Sequence, residues 1–275
     1  MKKSKIKRMG QHFLKNQAAL KKIIKCISPQ PDDLIIEIGA GRGELTFPLA
    51  QQAGKIVAIE KDRNLIPFLQ RANLPNLIIL EKDVLKIDFR ELIAKEKNSK
   101  INIKVVGNLP YSISSPLLFK LLEERKSLQE CIFLLQKEVA ERICAQPGSK
   151  KYAPLSIIFQ IYFKVKIHFI FPPKFFSPSP QVDSALITMS KRDSPLYCLE
   201  DEVLFLKFLK TAFSHRRKKL VNNLKSLPYP IGLIEKGFQK SGLKFDLRAE
   251  QLTIGQFIKL FNFLQKNTNL SLNSH

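Results

Sequence analysis

The chain has few cysteines and no long apolar run, and these two shortages exclude several classes of protein. Its cysteines, at positions 26, 131, 144 and 198, show no C-x-x-C or Cys/His spacing, so no metal site is predicted. Nowhere do about 18 apolar residues follow one another, as a membrane-spanning helix requires. The basic N-terminus is not followed by an apolar stretch of signal-peptide length. We therefore expect a cytoplasmic protein with reduced thiols and no membrane partner.

Acidic residues are scarce relative to basic ones. There are 24 Asp and Glu against 46 Lys and Arg, which gives a formal charge of +22. This excess favours a polyanionic partner, with nucleic acid as the first candidate. The alternative is a lysine bias of the source genome, and the 35 lysines against 11 arginines support it. The basic start from Lys2 to Arg8 is as compatible with an RNA-contacting arm as with a solvated tail.

A predicted strand, a glycine-rich loop and a predicted helix follow one another early in the chain. Leu34–Ile38 is a short apolar run, Gly39–Gly43 contains three glycines, and the spacing of Leu45 and Leu49 indicates a helix. Glycines in such a loop allow a tight turn and let backbone N–H groups approach a ligand. The pattern predicts a nucleotide-type binding site at this loop.

Three further apolar runs are followed by polar residues. The runs cover residues 55–59, 77–80 and 101–106. Glu60 follows the first, Asp83 lies just beyond the second and Asn108 just beyond the third. In an open α/β sheet the carboxyl ends of parallel strands form the ligand crevice. We therefore predict an α/β fold with a Rossmann-like sheet, and we expect the three side chains to meet at one edge of it.

Two cofactor classes fit such a sheet, and the glycine loop helps to separate them. Dinucleotide enzymes use G-x-G-x-x-G, whereas this loop reads G-x-G-x-G and has Glu37 two residues ahead of it. An acid there repels a pyrophosphate but suits the cationic amino-acid end of S-adenosyl-L-methionine. Glu37 alone is more typical of a structural acid. Together with Glu60, Asp83 and Asn108, it favours a methyltransferase.

The run Asn108-Leu109-Pro110-Tyr111 directly follows the last of these strands. The Asn108 side chain offers an acceptor oxygen, and the Pro110 carbonyl has no competing N–H on its own residue. Tyr111 adds a flat ring. Two acceptors beside an aromatic plane suit the exocyclic amino group of a base such as adenine, although Asn-x-Pro alone is more often an ordinary turn.

Five ordered motifs carry a resemblance to a known family: Gln11–Leu14, Glu37–Gly43, Asn108–Tyr111, Phe176–Ala185 and Phe213–Lys218. Together they resemble the bacterial small-subunit ribosomal RNA adenine dimethyltransferases. The resemblance implies a class I S-adenosyl-L-methionine-dependent methyltransferase domain followed by a small all-helical domain. It also implies dimethylation at N6 of two adjacent adenosines near the 3′ end of 16S rRNA, in the immature small ribosomal subunit. We expect a monomer, and methyl transfer that depends mostly on placement needs no metal.

The resemblance also implies roles for individual residues. The implied cofactor-binding set is His12, Leu14, Glu37, Gly39, Gly41, Glu60, Asp83, Val84 and Asn108. Within it, Glu60 would hold the ribose and Asp83 the adenine amino group of the cofactor. The implied catalytic set is Asn108, Leu109, Pro110, Tyr111 and Phe176. We expect the rings of Tyr111 and Phe176 to sandwich the target base. Departures from the family pattern are Ala40, Ser112 and His215, and none of them touches the proposed chemistry.

The predicted boundary between the domains lies at Asp193-Ser194-Pro195, which gives a catalytic domain over 1–193 and a helical domain over 194–275. The run Arg216-Arg217-Lys218-Lys219 is a candidate RNA contact, with a solvated face as the alternative.

Three other functions remain open from the sequence alone. One is methylation of an adenosine in large-subunit rRNA of the antibiotic-resistance type. A second is a ribosome-assembly factor with little or no catalysis, against which the intact Asn108–Tyr111 turn argues. A dehydrogenase is the weakest, because the pyrophosphate loop is missing.

Overall fold

The computed structural model describes residues 11–94 and 102–272, and side chains as far as 268. The basic segment Lys2–Arg8 lies outside the described residues. The chain divides into two compact units, one of residues 1–140 with 164–191 and the other of residues 141–163 with 192–275. Within the described parts, no helix is both long and apolar enough to cross a membrane.

A seven-stranded sheet forms the centre of the first unit. Its strands are β2 (Asp33–Ile38), β3 (Lys55–Glu60), β4 (Leu77–Glu81), β5 (Asn102–Asn108), β6 (Glu130–Gln136), β7 (Phe163–Phe171) and β9 (Ser184–Lys191). Their order across the sheet is β4-β3-β2-β5-β6-β9-β7. The first five in this order run parallel, and β9 is antiparallel to β6. The predicted α/β fold is confirmed, and β9 and β7 form one edge of the sheet.

The burial of the strands explains why they are recognised so readily from sequence. Every residue of β2 is buried, because neighbours flank it on both sides and helices cover a parallel sheet. Strand order reverses between β2 and β5: the chain adds β3 and β4 on one side of β2, then β5 and β6 on the other. The crevice outside such a switch point is where open α/β sheets bind ligands.

Among the described residues, five helices and part of a sixth belong to the first unit: α1 (Gln17–Ile27), α2 (Thr46–Ala50), α3 (Ile66–Gln70), α4 (Phe89–Ala94), α5 (Ser114–Glu123) and the start of α6 (Lys137–Cys144). The amino end of α1 is capped by the Asn16 side chain, which accepts from the Ala19 N–H at 2.8 Å. Its apolar face, with Ile23 and Ile27, belongs to the main core cluster.

A second, two-stranded sheet joins distant parts of the first unit. The strands β1 (Phe13–Leu14) and β8 (Phe176–Ser177) pair antiparallel, with Phe13 opposite Ser177 and Leu14 opposite Phe176. The pairing fixes the start of the described chain against the proline-rich connection between β7 and β9. This long-range contact has no periodic signature in the sequence.

Helices form the second unit, whose described residues include only the first residue of β7, Phe163, from any strand. Its helices are the end of α6, α7 (Pro154–Tyr162), α8 (Glu202–Ala212), α9 (Leu220–Leu224), α10 (Ile231–Ser241) and α11 (Ile254–Leu272). Aromatic side chains fill its core: the rings of Phe205 and Phe261 lie 5.1 Å apart, and those of Phe208 and Phe261 5.4 Å apart. The Thr253 hydroxyl and the Gln256 side chain cap α11 reciprocally.

One part of the predicted domain division is wrong. The prediction assigned Glu141–Phe163 to the catalytic domain, but this segment belongs to the helical unit. It is held there by backbone hydrogen bonds from Gly148 to Glu250, from Arg192 to Tyr162 and from Leu196 to Ile161. Every residue of α7 from Ser156 to Tyr162 is buried. An apolar sequence of this kind indicates that other elements cover the helix, but it does not indicate which ones.

Candidate active site

A cavity of about 290 Å³ opens at the carboxyl ends of β2, β3, β4 and β5. Seven of the nine predicted cofactor residues line it: His12, Gly39, Gly41, Glu60, Asp83, Val84 and Asn108. Six of them lie at or just beyond the carboxyl ends of parallel strands, as predicted for Glu60, Asp83 and Asn108. His12 comes from the segment before β1, which belongs to the smaller sheet.

The glycine loop gives the cavity its room but not its hydrogen-bond donors. The N–H groups of Gly39 and Ala40 donate to the Ile59 carbonyl at 2.8 and 3.3 Å, and that of Gly41 donates to Oε2 of Glu60 at 2.9 Å. The expectation that these groups approach a ligand is therefore wrong. Gly39 has a φ of +72°, and a side chain there would project toward Pro110, 3.9 Å away, across the cavity wall.

Glu60 is 4% exposed and holds the loop in place. Its Oε1 accepts from the N–H groups of Lys61 and Asp62, both at 2.8 Å, and its Oε2 accepts from Gly41. Burial raises the pKa of Glu60, while the three backbone donors act in the opposite direction. A carboxylate has about four acceptor positions, so about one remains for a ligand hydroxyl.

Asp83 presents a charged carboxylate at the neighbouring strand end. Its Oδ2 lies 2.7 Å from Nζ of Lys61, and its Oδ1 accepts from the Leu85 N–H at 3.1 Å. The hydrogen bond from Lys61 lowers the pKa of Asp83, so it stays an acceptor over the whole neutral range. This suits an amino group of a bound ligand.

Glu37 and Leu14 lie one layer beneath the main cavity and do not line it. Both border a separate cavity of about 40 Å³ under the glycine loop. Glu37 is 2% exposed, and its Oε2 has no hydrogen-bond partner among the described residues. Burial raises the pKa of Glu37 from 4.5 to about 8, so it is largely neutral at pH 7. The predicted direct attraction between this acid and a cationic ligand is therefore not supported.

Asn108 is held in one orientation by the chain itself. Its Nδ2 donates to the His12 carbonyl at 2.6 Å. A side-chain amide with its nitrogen bound in this way presents its oxygen on the other side. No donor among the described residues reaches Oδ1 of Asn108, so this oxygen is available to a ligand.

The second acceptor in the turn differs from the predicted one. The Pro110 carbonyl already accepts from the Ile113 N–H at 3.1 Å and from the Ser114 hydroxyl at 3.2 Å, which occupies both lone pairs. The Leu109 carbonyl accepts no hydrogen bond among the described residues, while the Leu109 N–H donates to Leu134 at 3.1 Å. Of these two carbonyls, that of Leu109 is the free one among the described residues, which contradicts the assignment of the second acceptor to Pro110.

A larger cavity, of about 940 Å³, adjoins the first. Gln11, His12, Phe13 and Tyr111 line both cavities. The Tyr111 ring lies 5.3 Å from the His12 ring, and its hydroxyl forms a 3.0 Å hydrogen bond with the Ser184 hydroxyl. Tyr111 thus stands as a fixed aromatic wall between the two spaces.

Phe176 does not form the second wall. It is 5% exposed, belongs to the main core cluster and lines neither of these two cavities. Its place in the β1–β8 pairing opposite Leu14 turns the ring into the core. The predicted sandwich of the base by Tyr111 and Phe176 is wrong for Phe176. The ring that the sequence reasoning missed is Phe13, and its position beside His12 in the first motif was the available signal.

The four basic residues of the run 216–219 are all exposed, but they are not equivalent. Arg216 donates to the Tyr152 carbonyl at 3.0 Å and lies 3.5 Å from the Glu250 carboxylate. It therefore stabilises the helical unit. Arg217, Lys218 and Lys219 make no side-chain hydrogen bond or ion pair among the described residues.

Comparison with known proteins decides the family. The family model described as ribosomal RNA adenine dimethylase matches residues 2–266. The chain belongs to this family. The prediction of an S-adenosyl-L-methionine-dependent class I methyltransferase is thereby confirmed, and its substrate class is ribosomal RNA.

Curated members of the ribosomal RNA adenine dimethylase family are similar over almost the whole chain. A protein of Xylella fastidiosa (strain Temecula1) named ribosomal RNA small subunit methyltransferase A is 41% identical, and the match covers 95% of this chain and 96% of that protein. A protein of the same name from Syntrophus aciditrophicus is 38% identical over 94% of each chain.

Solved structures of similar proteins agree on the fold. A dimethyladenosine transferase from Plasmodium falciparum superposes with a TM-score of 0.78 at 27% identity, covering 93% of this chain and 98% of that one. The 23S rRNA methyltransferase ErmE superposes with a TM-score of 0.70 at 21% identity, and the match covers 92% of this chain and 99% of that one. At that identity the likeness to ErmE shows the fold alone.

Replacing Glu60 with Gln should weaken cofactor binding by about 1.5–3 kcal/mol, because one acceptor oxygen becomes a donor that faces backbone N–H groups. Calorimetric titration with S-adenosyl-L-methionine measures the change. Glu81→Gln is the matched control, because Glu81 is the register neighbour of Glu60 on β4 but pairs with Arg63 outside the cavity. Equal affinities for the two variants would remove Glu60 from the site.

Glu37→Gln tests the buried acid. With a folded-state pKa of about 8, Glu37 stays neutral while the unfolded chain ionises it, so native stability falls as pH rises from about 4.5 to 8. Glutamine does not ionise, so the Gln variant does not lose stability in this way. Relative to the native chain, we expect its free energy of unfolding to rise by at least about 1 kcal/mol between pH 4.5 and pH 8. Urea unfolding at pH 4.5 and pH 8 measures it. Parallel changes with pH in the two proteins would contradict the raised pKa.

Proposed function

We propose that this chain transfers methyl groups from S-adenosyl-L-methionine to N6 of two adjacent adenosines near the 3′ end of 16S rRNA, dimethylating each. The single observation that carries the proposal is the Asn108 amide. Its nitrogen donates to the His12 carbonyl, and its oxygen has no donor among the described residues. Asn108 and Leu109, whose carbonyl is also free, line the smaller cavity beside Tyr111, which borders both cavities.

The residues of the smaller cavity fit the cofactor by their chemistry. Glu60 has an acceptor position left for a ribose hydroxyl, and charged Asp83 suits the adenine amino group. Gly39 leaves the space above the loop open for the methionine end. When bound, S-adenosyl-L-methionine supplies an electrophilic methyl group.

The larger cavity has room for a flat base, with Tyr111 at its border with the smaller one. Adenine N6 is a poor nucleophile because its lone pair is delocalised into the ring. Accepting the amino protons at Oδ1 of Asn108 and at the Leu109 carbonyl makes the lone pair available toward the methyl group. Neither group acts as a strong base, and most of the rate enhancement comes from placement and these two contacts.

The names of the curated relatives support the small-subunit branch. Both relatives described above are named small subunit methyltransferases and match at 38–41% identity. The likeness to ErmE does not favour the large-subunit alternative, because it extends only to the fold. Two free acceptors in a formed site argue against a purely non-catalytic assembly factor.

We further propose that a monomer acts on the immature small ribosomal subunit in the cytoplasm. In the helical unit, Arg217, Lys218 and Lys219 are the proposed RNA contacts, because they are exposed and unpaired among the described residues. Arg216 adds less to RNA binding, since its guanidinium is already bound to Tyr152 and Glu250.

Asn108→Ala tests the proposed chemistry. We expect unchanged binding of unmethylated small subunits but a methylation rate lower on the order of a hundredfold, as for the loss of one transition-state contact. The assay is single turnover with labelled S-adenosyl-L-methionine, followed by mass mapping of the modified nucleotides. Asn102→Ala, at the opposite end of β5, is the matched control. Label on nucleotides other than the two adenosines would refute the proposed target, and a near-normal rate in Asn108→Ala would refute the role of its amide.

Tyr111→Phe separates the ring from its hydroxyl. The ring remains, and only the hydrogen bond to Ser184 is lost. This loss costs about 1 kcal/mol of stability, so most of the methylation activity should persist. Tyr111→Ala loses stacking on the base, worth roughly 1–3 kcal/mol, and should methylate poorly while binding the cofactor normally. Ser184→Ala is the control that removes the same hydrogen bond from the other side. If Tyr111→Phe is as inactive as Tyr111→Ala, stacking is the wrong explanation.

A further inference from the structure

Two arginines and two phenylalanines alternate along the surface of the first unit. Cζ of Arg42 lies 5.1 Å from the centre of the Phe13 ring and 5.6 Å from that of the Phe68 ring. Cζ of Arg71 lies 5.7 Å from the Phe68 ring. We call Phe13, Arg42, Phe68 and Arg71 the arginine–phenylalanine row. Contacts of this length are cation–π interactions, and they hold flat guanidinium groups against the rings.

The two guanidinium groups of the row have no anionic partner of their own. Arg42 and Arg71 are exposed, and neither side chain donates a hydrogen bond or forms an ion pair among the described residues. Nearby basic residues behave differently: Arg63 pairs with Glu81, and Lys61 pairs with Asp83. The donors of Arg42 and Arg71 are therefore free to form charge-assisted hydrogen bonds with an external anion.

Phe68 is an exposed ring that no other ring covers among the described residues. It is 42% exposed, yet two arginines lie over it. An arginine ordered by a ring loses less rotamer freedom on binding a ligand than a free one, which lowers the entropic cost of the contact. The Phe68 ring would therefore strengthen ligand binding indirectly, by holding the two arginine side chains in place.

The row begins at the larger cavity. Phe13 and Arg42 both line that cavity, and Phe68 and Arg71 continue from it over the outer surface near α3. A base that enters the cavity remains attached to its RNA strand, so phosphates of the flanking nucleotides must pass close to the cavity mouth. Arg42 and Arg71 are placed along one such path.

We propose that the arginine–phenylalanine row binds the phosphate backbone of the RNA strand next to the target adenosine, with Arg42 and Arg71 as the phosphate contacts and Phe68 as the residue that orders them. This inference rests on the proposed function, since it assigns a surface for the same substrate. RNA is favoured over an acidic protein because a planar guanidinium fork matches phosphate geometry and the chain carries a formal charge of +22.

Arg71→Gln tests the row away from both cavities. Removing one phosphate contact to a single strand should lower the slope of log affinity against log salt by about 0.7, which corresponds to about fivefold weaker binding at 0.1 M salt. The ligand is a naked fragment of small-subunit rRNA that contains both adenosines. Arg63→Gln removes the same charge from a paired arginine and should change neither quantity. Affinity for S-adenosyl-L-methionine should be unchanged in both variants.

Phe68→Ala separates ordering from charge. The two cations remain, so the salt slope should stay as in the native chain while the affinity falls. Phe119→Ala is the control, because Phe119 is 37% exposed on α5 and no cation lies over its ring among the described residues. Equal affinities for the two variants would show that the ring plays no part and would overturn this half of the proposal.

The outcomes also separate this inference from the proposed function. If the native chain methylates both adenosines but Arg71→Gln binds RNA like Arg63→Gln, the row is wrong and the function stands. If Arg71→Gln weakens binding to intact subunits but not to naked RNA, the row contacts a ribosomal protein and the proposal is overturned. If the native chain methylates neither adenosine, the proposed function fails, and the salt slopes still report whether the row contacts RNA.

Discussion

Parallel pairing of four strands is the constraint on which the rest of the site depends. Strands β4, β3, β2 and β5 lie side by side in one direction, so the residues after their carboxyl ends all lie at a single edge of the sheet. Glu60 and Glu81 are direct neighbours in the register, yet one turns into the cavity wall and the other pairs outward with Arg63. The backbone after each strand then decides which acids face a ligand.

Residues whose position is set by a strand end could be predicted from the sequence. Apolar runs directly precede or nearly precede Glu60, Asp83 and Asn108. In a parallel sheet, residues that follow such strands lie at the carboxyl edge, so their position can be predicted. The role of Glu37 was harder to predict, because its side chain lies beneath the glycine loop and burial changes its charge. A sequence pattern records that an acid is present but not whether it is ionised.

Local hydrogen bonding in a turn and contacts between distant segments set the parts that could not be predicted from the sequence. The choice between the Leu109 and Pro110 carbonyls depends on which one the following turn has already used. The burial of Phe176 depends on the β1–β8 pairing, which joins segments about 160 residues apart. Helix α7 is apolar enough to be buried anywhere, so its membership of the helical unit could not be inferred from its own residues.

On the proposed function, the fixed Asn108 amide also affects how firmly the amino group is held as methyl groups are added. An unmodified adenine has two N–H donors for the two free oxygens of the turn, and each transfer replaces one donor with a methyl group. After the second transfer both oxygens face methyl groups, and an unpaired acceptor costs about 1–3 kcal/mol when buried. On the proposed function, the finished base is therefore held more weakly than the starting one. On the same proposal, modification ends at two methyl groups because N6 then has no N–H left to lose, and the two unpaired oxygens favour release of the product.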